Sequence, residues 1–383
     1  MNTKTSQKNL KMSQLTFFFL TLVLSSTVFA RPEYPDALKE LCETANRLPP
    51  VLNADICSTC HETSNFKKMT PQKTAFLNND LSIFCPTTNT SNKFDYQLYD
   101  AKAPILEKSK IHEIELTAIE QPVVVAKNVN QTLWTFNGKV PGPVIRVKLG
   151  DKVRVRFINP PTNQLPHSVD FHSSQVAWND EMTSINPGEE KMYEWTADYA
   201  GVWMYHCGSN PALHHIASGM YGMVIVEPKG GLPKVDHEFA LVQSEFHINH
   251  TNDFGANMSH AMNDKPDYVV FNGVAFQYKD HPIKVGTGKK VRFFVLNAGP
   301  SEDSAFHIVG TIFNRVIKEG VELIPNNKGG YGSQAVDLAP AQGAIIELTA
   351  KEDGLYPIVT HAFNFVGKGA LGLLQAGDGD PKK

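Results

Sequence analysis

One β-strand pattern occurs twice in this chain. "FNGKVPGPVIRVKLGDKVRVRFIN" (Phe136 to Asn159) is echoed by "FNGVAFQYKDHPIKVGTGKKVRFFVLN" (Phe271 to Asn297), each an FNG turn, a strand, a glycine-bearing turn and a strand of VRF type. Further on, "ADYAGVWMYHC" is echoed by "KEDGLYPIVTH", so the ends of the two units match as well. An internal repeat made of short alternating Val, Ile, Phe and Tyr segments, punctuated by Gly, Pro, Asn and Asp, restricts this part of the chain to two copies of one β domain. The spacing predicts antiparallel strands in a sandwich or barrel. The break falls in "EPKGGLPKVD" (Glu227 to Asp236), which gives a first unit over residues 94–230 and a second over 231–383.

The residues before the repeat are of another kind. Lys4, Lys8 and Lys11 precede the apolar run "LTFFFLTLVL" (Leu15 to Leu24) and "STVFA", with Val28 and Ala30 at the small positions a signal peptidase reads. Residues 1–30 are therefore expected to be a secretory signal, leaving a mature chain that starts near Arg31, periplasmic or otherwise exported, with no membrane span after signal removal. Residues 31–93 form a small cysteine-bearing region, expected to be mainly helical from "PDALKELCETANRL", and end in the polar linker "TTNTSNK". A formal net charge of −3 over 383 residues gives no electrostatic case for nucleic acid.

Cysteine usage is uneven. Cys42, Cys57, Cys60 and Cys85 crowd the first region and Cys207 stands alone, an arrangement that in an exported protein asks for an occupant. Around it runs "YHCGSNPALHHIASGM", and upstream lies "HSVDFH". His167 and His172 are five positions apart, an odd offset, so on a strand their side chains take opposite faces, as do those of adjacent His206 and Cys207. Two faces with a pair each predict two metal sites. The inner one has Cys207, His215, Met220 and His167, a thiolate, two imidazoles and a weak thioether, which is the donor set of an electron-transfer copper. His214 competes with His215, and spacing leaves that choice open. The outer one has His172 and His206 and needs another ligand; His361, in "VTHAF", holds in the second unit the place of His206 in the first, with Ala362 where the thiolate would be.

With "HSVDFH", "YHC…HHIASGM" and "VTHAF" in hand, the chain from about His112 onward resembles the copper-containing, nitric-oxide-forming nitrite reductases. The stretch "SSQVAW" after His172 departs from the glycine-rich continuation common there. The resemblance implies an all-β fold of two tandem Greek-key cupredoxin domains and a homotrimer. It further implies type 1 copper on His167, Cys207, His215 and Met220, and type 2 copper at a subunit interface on His172 and His206 of one chain and His361 of the next. It assigns Asp170 and His307 to proton delivery, nitrite as substrate, and a small periplasmic electron donor, a cupredoxin or cytochrome c. Two other classes fit parts of the sequence. A two-domain laccase-like oxidase shares the FNG repeat, but its trinuclear cluster needs His-x-His pairs that are lacking here, with Gly208 after Cys207. A non-catalytic copper electron carrier would not need the second site.

"CSTCH" (Cys57, Cys60 and His61) is the c-type haem attachment pattern, with Met69 the nearest second axial ligand. A haem there would be an electron inlet, with Cys42 and Cys85 left to form a disulfide. The competing expectation is two disulfides among the four cysteines.

Overall fold

The computed structural model describes residues 61–62, 65–69, 98–250, 254–324 and 329–380. From the first region it contains β1 (His61–Glu62) and β2 (Asn65–Met69), an antiparallel pair in which His61 stands opposite Met69. These described pieces are strand rather than helix; the expected signal, the helix, Cys42, Cys57, Cys60 and Cys85 lie outside the described residues. From residue 98 onward the described residues form one compact unit. Among the described residues no helix is long and apolar enough to cross a membrane.

The first repeat comprises β3 (Ile111–Ala126), β4 (Val129–Phe136), β5 (Ile145–Lys148), β6 (Lys152–Asn159), β7 (Asp170–Phe171), β8 (Glu189–Thr196), β9 (Gly201–His206) and β10 (Tyr221–Glu227). They make two four-stranded sheets, ordered β4-β3-β6-β8 and β5-β10-β9-β7. The second repeat comprises β11 (His237–Phe246), β12 (Tyr268–Phe271), β13 (Ile283–Val285), β14 (Lys290–Asn297), β15 (Ser304–Ile308), β16 (Arg315–Lys318), β17 (Val321–Ile324), β18 (Ala335–Leu338), β19 (Gly343–Thr349), β20 (Gly354–Thr360) and β21 (Leu371–Ala376). Its sheets run β12-β11-β14-β19-β16-β17 and β13-β21-β20-β15-β18.

The strands are not all antiparallel. In the first unit β3 runs parallel to β6 and β5 to β10; in the second, β11 to β14 and β13 to β21 do the same. A chain that crosses between two sheets returns beside an earlier strand in the same sense, and residue alternation carries no mark of that crossing. The matching pairs show that topology repeats along with sequence.

The FNG turns show why the repeat is local as well as global. Asn137 and Gly138 have left-handed backbone geometry with φ of 55° and 71°, and Asn272 and Gly273 repeat it at 54° and 82°. Asn and Gly are the residues that accept such a turn. Each Asn side chain also ties down a neighbouring strand: Asn137 accepts from Thr117 N–H and donates to Glu115 C=O, while Asn272 accepts from Val242 N–H and donates to Ala240 C=O. A Cβ added at Gly273 would run into the carbonyl of Val140, so the second turn packs directly on the first unit.

Three apolar layers result. Leu116, Phe136, Val155 and Phe171 lie in the core of the first unit, and Phe271, Phe293, Phe306 and Ile358 in that of the second. Between them, Leu133, Met204, Met223 and Ile225 meet Val242, Phe294, Leu296 and Ile345. Strands β9 and β10 are thus covered on both faces, which is why "MVIV" in β10 is apolar without alternation. This double burial makes the carboxyl end of β9 a rigid place from which to project side chains.

Candidate metal centres

Strand β9 ends at His206, and Cys207 continues the extended chain with its N–H donated to Met220 C=O at 3.0 Å. From Cys207 to Met220 the chain closes a short loop containing the six-residue helix α1 (Ala212–Ala217), which carries His214 and His215. Met220 N–H returns to His215 C=O at 3.2 Å, drawing the loop shut over Cys207.

Inside this loop His167, Cys207 and His215 bring their donor atoms within 4.8 Å of one another. Cys207 Sγ is 3.3 Å from His215 Nδ1, and His167 Nδ1 is 3.2 Å from the same nitrogen. All three side chains are buried, as is Met220. Ser168 N–H donates to the sulfur at 3.3 Å. Burial by itself pushes the Cys207 thiol up, but hydrogen bonds from His167 and His215 outweigh it and hold the thiol well below its ordinary range. Burial pushes His167 down, and its partners Cys207 and Glu120 more than reverse this. A sulfur favoured as thiolate with two imidazole nitrogens suits a copper ion, and the residues present fit that metal.

His214 does not join this group. Its ring lies 4.6 Å from that of Trp134, and its Nε2 is buried without a hydrogen-bond partner. On the helix, adjacent residues point about a quarter-turn or more apart, so only His215 faces Cys207.

The second cluster is on the other side of the same strand. Asp170 pairs with His206 across β7 and β9, and His172 lies two residues on from Asp170 on the same face. His172 Nε2 and His206 Nε2 are 3.0 Å apart, and Asp170 Oδ2 lies 3.7 and 3.5 Å from them. His206 Nδ1 donates to Cys207 C=O at 2.9 Å, which leaves Nε2 as its lone-pair nitrogen facing the cluster. Burial and the neighbouring His206 keep His172 below its usual imidazole range despite Asp170. Only Asp170 and Phe171 of "HSVDFH" are paired as a strand; His167 makes a lone bridge to Ile185. The opposite-face arrangement nevertheless holds.

His361 is not in this outer group. It follows β20 on the second unit, exposed, with its ring 5.5 Å from that of His307 and 5.2 Å from that of Phe363. His307, on β15, donates from Nδ1 to Gln334 C=O. The fold therefore pairs His307 with His361 and Asp170 with His172 and His206, and leaves the two sets in separate units of one chain. His61 and Met69 lie on β1 and β2, and Cys57 and Cys60 lie outside the described residues.

Two participants went unread in the sequence. Glu120 accepts from His167 Nε2 at 3.1 Å, and Trp134 packs 4.7 Å from His215 and 5.9 Å from His167. Glu120 had a visible signal: it continues the inward series Leu116, Ala118 with a carboxylate.

Two sandwiched β units with a buried thiolate–imidazole cluster backed by an imidazole–carboxylate cluster define a two-domain copper oxidoreductase. Residues 118–231 match the family model described as multicopper oxidase. A solved multicopper oxidase superimposes with a TM-score of 0.62 at 26% identity, covering 73% of this chain and 94% of that one. The copper nitrite reductase of Nitrosomonas europaea superimposes with a TM-score of 0.65 at 37% identity, covering 71% of this chain and 96% of that one. The copper-containing nitrite reductase of Neisseria meningitidis serogroup B is 39% identical over 272 residues, 68% of each chain. The chain belongs to the copper-containing nitrite reductases.

Proposed function

We propose that the protein reduces nitrite to nitric oxide and water at the outer cluster, using one electron received through the inner cluster and two protons. The observation that carries this reading is the peptide link between His206 and Cys207: consecutive residues place one donor in each cluster.

His167, Cys207, His215 and Met220 would hold type 1 copper, and His172 and His206, with His361 of a neighbouring chain, type 2 copper. Bound there, copper supplies one-electron redox chemistry at the inner set and a Lewis acid for a nitrite oxygen at the outer set. Asp170, beside both outer imidazoles, is placed to hold a proton and pass it to a bound oxygen. His307 accompanies His361, so the chain that lends one lends the other. The exposed Phe363, its ring 5.2 Å from that of His361, supports a subunit interface there and hence a homotrimer.

The amino-terminal pattern supports export, and "CSTCH" supports haem c as the electron inlet, its spacing being the support. A small cupredoxin or cytochrome c is the matching donor.

The test is anaerobic turnover of copper-loaded protein with nitrite and a reduced mediator, following nitric oxide. Its formation is expected; oxygen consumption with phenolic donors and no nitric oxide would replace this reading by an oxidase. A pyridine haemochrome spectrum of protein matured with haem-attachment machinery tests the haem.

A further inference from the structure

We propose that Glu120 is a positioning residue of the inner site: its buried carboxylate locks the His167 ring with Nδ1 toward Cys207 and holds the copper's reduction potential down. The inference rests on the assignment of His167 to type 1 copper made above.

Glu120 lies on β3 with its side chain 4% exposed. Its inward predecessors Leu116 and Ala118 are fully buried, so an apolar residue is what the strand pattern would supply here. A carboxylate in that position is costly unless its oxygens are matched. They are matched by three N–H donors: Leu165 N–H at 3.0 Å and His167 Nε2 at 3.1 Å on Oε1, and Gln164 N–H at 2.8 Å on Oε2. Among the described residues no Lys or Arg makes an ion pair with Glu120.

Two consequences follow. Accepting the Nε2 proton fixes the tautomer, so that the lone pair of His167 sits on Nδ1, the atom facing His215 and the thiolate. With no cationic side chain to neutralise it, the carboxylate's charge stands one imidazole away from the ion and favours its more highly charged, oxidised form. The register reinforces the assignment: Glu120 is directly opposite Trp134, so one rung of the β3–β4 ladder braces His167 by a hydrogen bond and His215 by ring packing.

The experiment compares copper-loaded wild type with Glu120→Gln, Glu120→Asp and Asn163→Ala. Asn163 anchors the same loop and the backbone of Glu120, donating to Ala118 C=O at 2.9 Å and accepting from Glu120 N–H at 3.3 Å, without bringing charge to the site. The type 1 potential is read by spectroelectrochemistry, copper affinity by chelator competition, and folding by thermal unfolding of the copper-free forms. Glu120→Gln is expected to raise the potential and weaken copper binding at the inner site by about 10–100-fold. Glu120→Asp, which keeps the charge but withdraws it from the ring, is expected to shift both in the same direction by less, and is the reading to use where the Gln variant does not fold. Asn163→Ala is expected to leave the potential unchanged. An unaltered potential and affinity in the Glu120 variants would overturn the proposal, and so would an equal shift in Asn163→Ala, which would make loop geometry the cause. A wild type that takes up copper without a type 1 band would instead overturn the assignment of the inner site on which the proposal stands.

Discussion

His206 and Cys207 are neighbours in sequence whose side chains serve different clusters: His206 Nε2 lies 3.0 Å from His172 Nε2, and Cys207 Sγ lies 3.3 Å from His215 Nδ1. Extended backbone turns successive side chains to opposite faces, so a single peptide bond spans the wall between a buried site and a more open one. Beside this covalent route, His206 Nδ1 donates a hydrogen bond to Cys207 C=O at 2.9 Å.

Removing the thiolate should separate the two clusters functionally. Cys207→Ala is expected to abolish the type 1 visible band and mediator-driven nitrite turnover, while copper at His172 and His206 remains detectable by electron paramagnetic resonance. Retained turnover would show that electrons reach the outer cluster by another path.

Asp170 is tested by a change that keeps shape and removes ionisation. Asp170→Asn is expected to leave the type 1 band intact and to lower nitrite turnover by about 100-fold or more, the usual range for a positioned proton donor. Unchanged turnover in steady-state assays would remove its proton role.

The separation of His361 from His172 and His206 within one chain predicts complementation between chains. Protein carrying His361→Ala and protein carrying His172→Ala should each be inactive, and the proposed trimers, assembled from a mixture, should recover part of the activity. Some interfaces in the mixture then join an intact His361 to an intact His172. No recovery on co-assembly would count against a shared site.

A buried pair away from both clusters predicts a distinctive pH response. Burial pushes His247 down to about 4 from 6.5 and Glu245 up to about 7 from 4.5. As pH falls from 6.5 toward 4, the unfolded chain gains a proton at His247 that the folded chain refuses, so the stability carried by neutral His247 is present above 6.5 and lost on acidification. Glu245 acts oppositely: the folded chain keeps a proton that the unfolded chain releases, so its contribution is full below 4.5 and lost as pH rises through about 7. The two slopes cancel over much of this range. The two side chains lie 3.7 Å apart, and substituting His247→Gln removes the opposing slope, so stability relative to wild type is expected to fall as pH rises from 4.5 to 6.5. Urea midpoints across that range measure it, and parallel curves would show that the pair does not titrate in this way.

Much of the candidate site was legible because it depends on local rules. Side-chain parity along extended chain separates His167 from His172 and His206 from Cys207 wherever the strands end up. Asn137-Gly138 and Asn272-Gly273 prescribe the same turn because few other residues accept positive φ there. Glu120 could have been added by the same parity, as a carboxylate in the inward series of Leu116 and Ala118. His214 and His215 could not be separated by spacing, since the choice depends on which of them turns toward Trp134 and which toward Cys207.

The sequence by itself thus determined the repeat, its turns and the sorting of candidate ligands onto two faces, since each follows from backbone geometry over a few residues. Only the tertiary structure decided the parallel pairings β3–β6 and β11–β14, the apolar layer joining Met204 and Met223 to Phe294 and Ile345, and the seating of Glu120 on His167. Those contacts join residues tens of positions or more apart. Their partners are selected by how the sheets pack, which residue alternation within one strand does not encode.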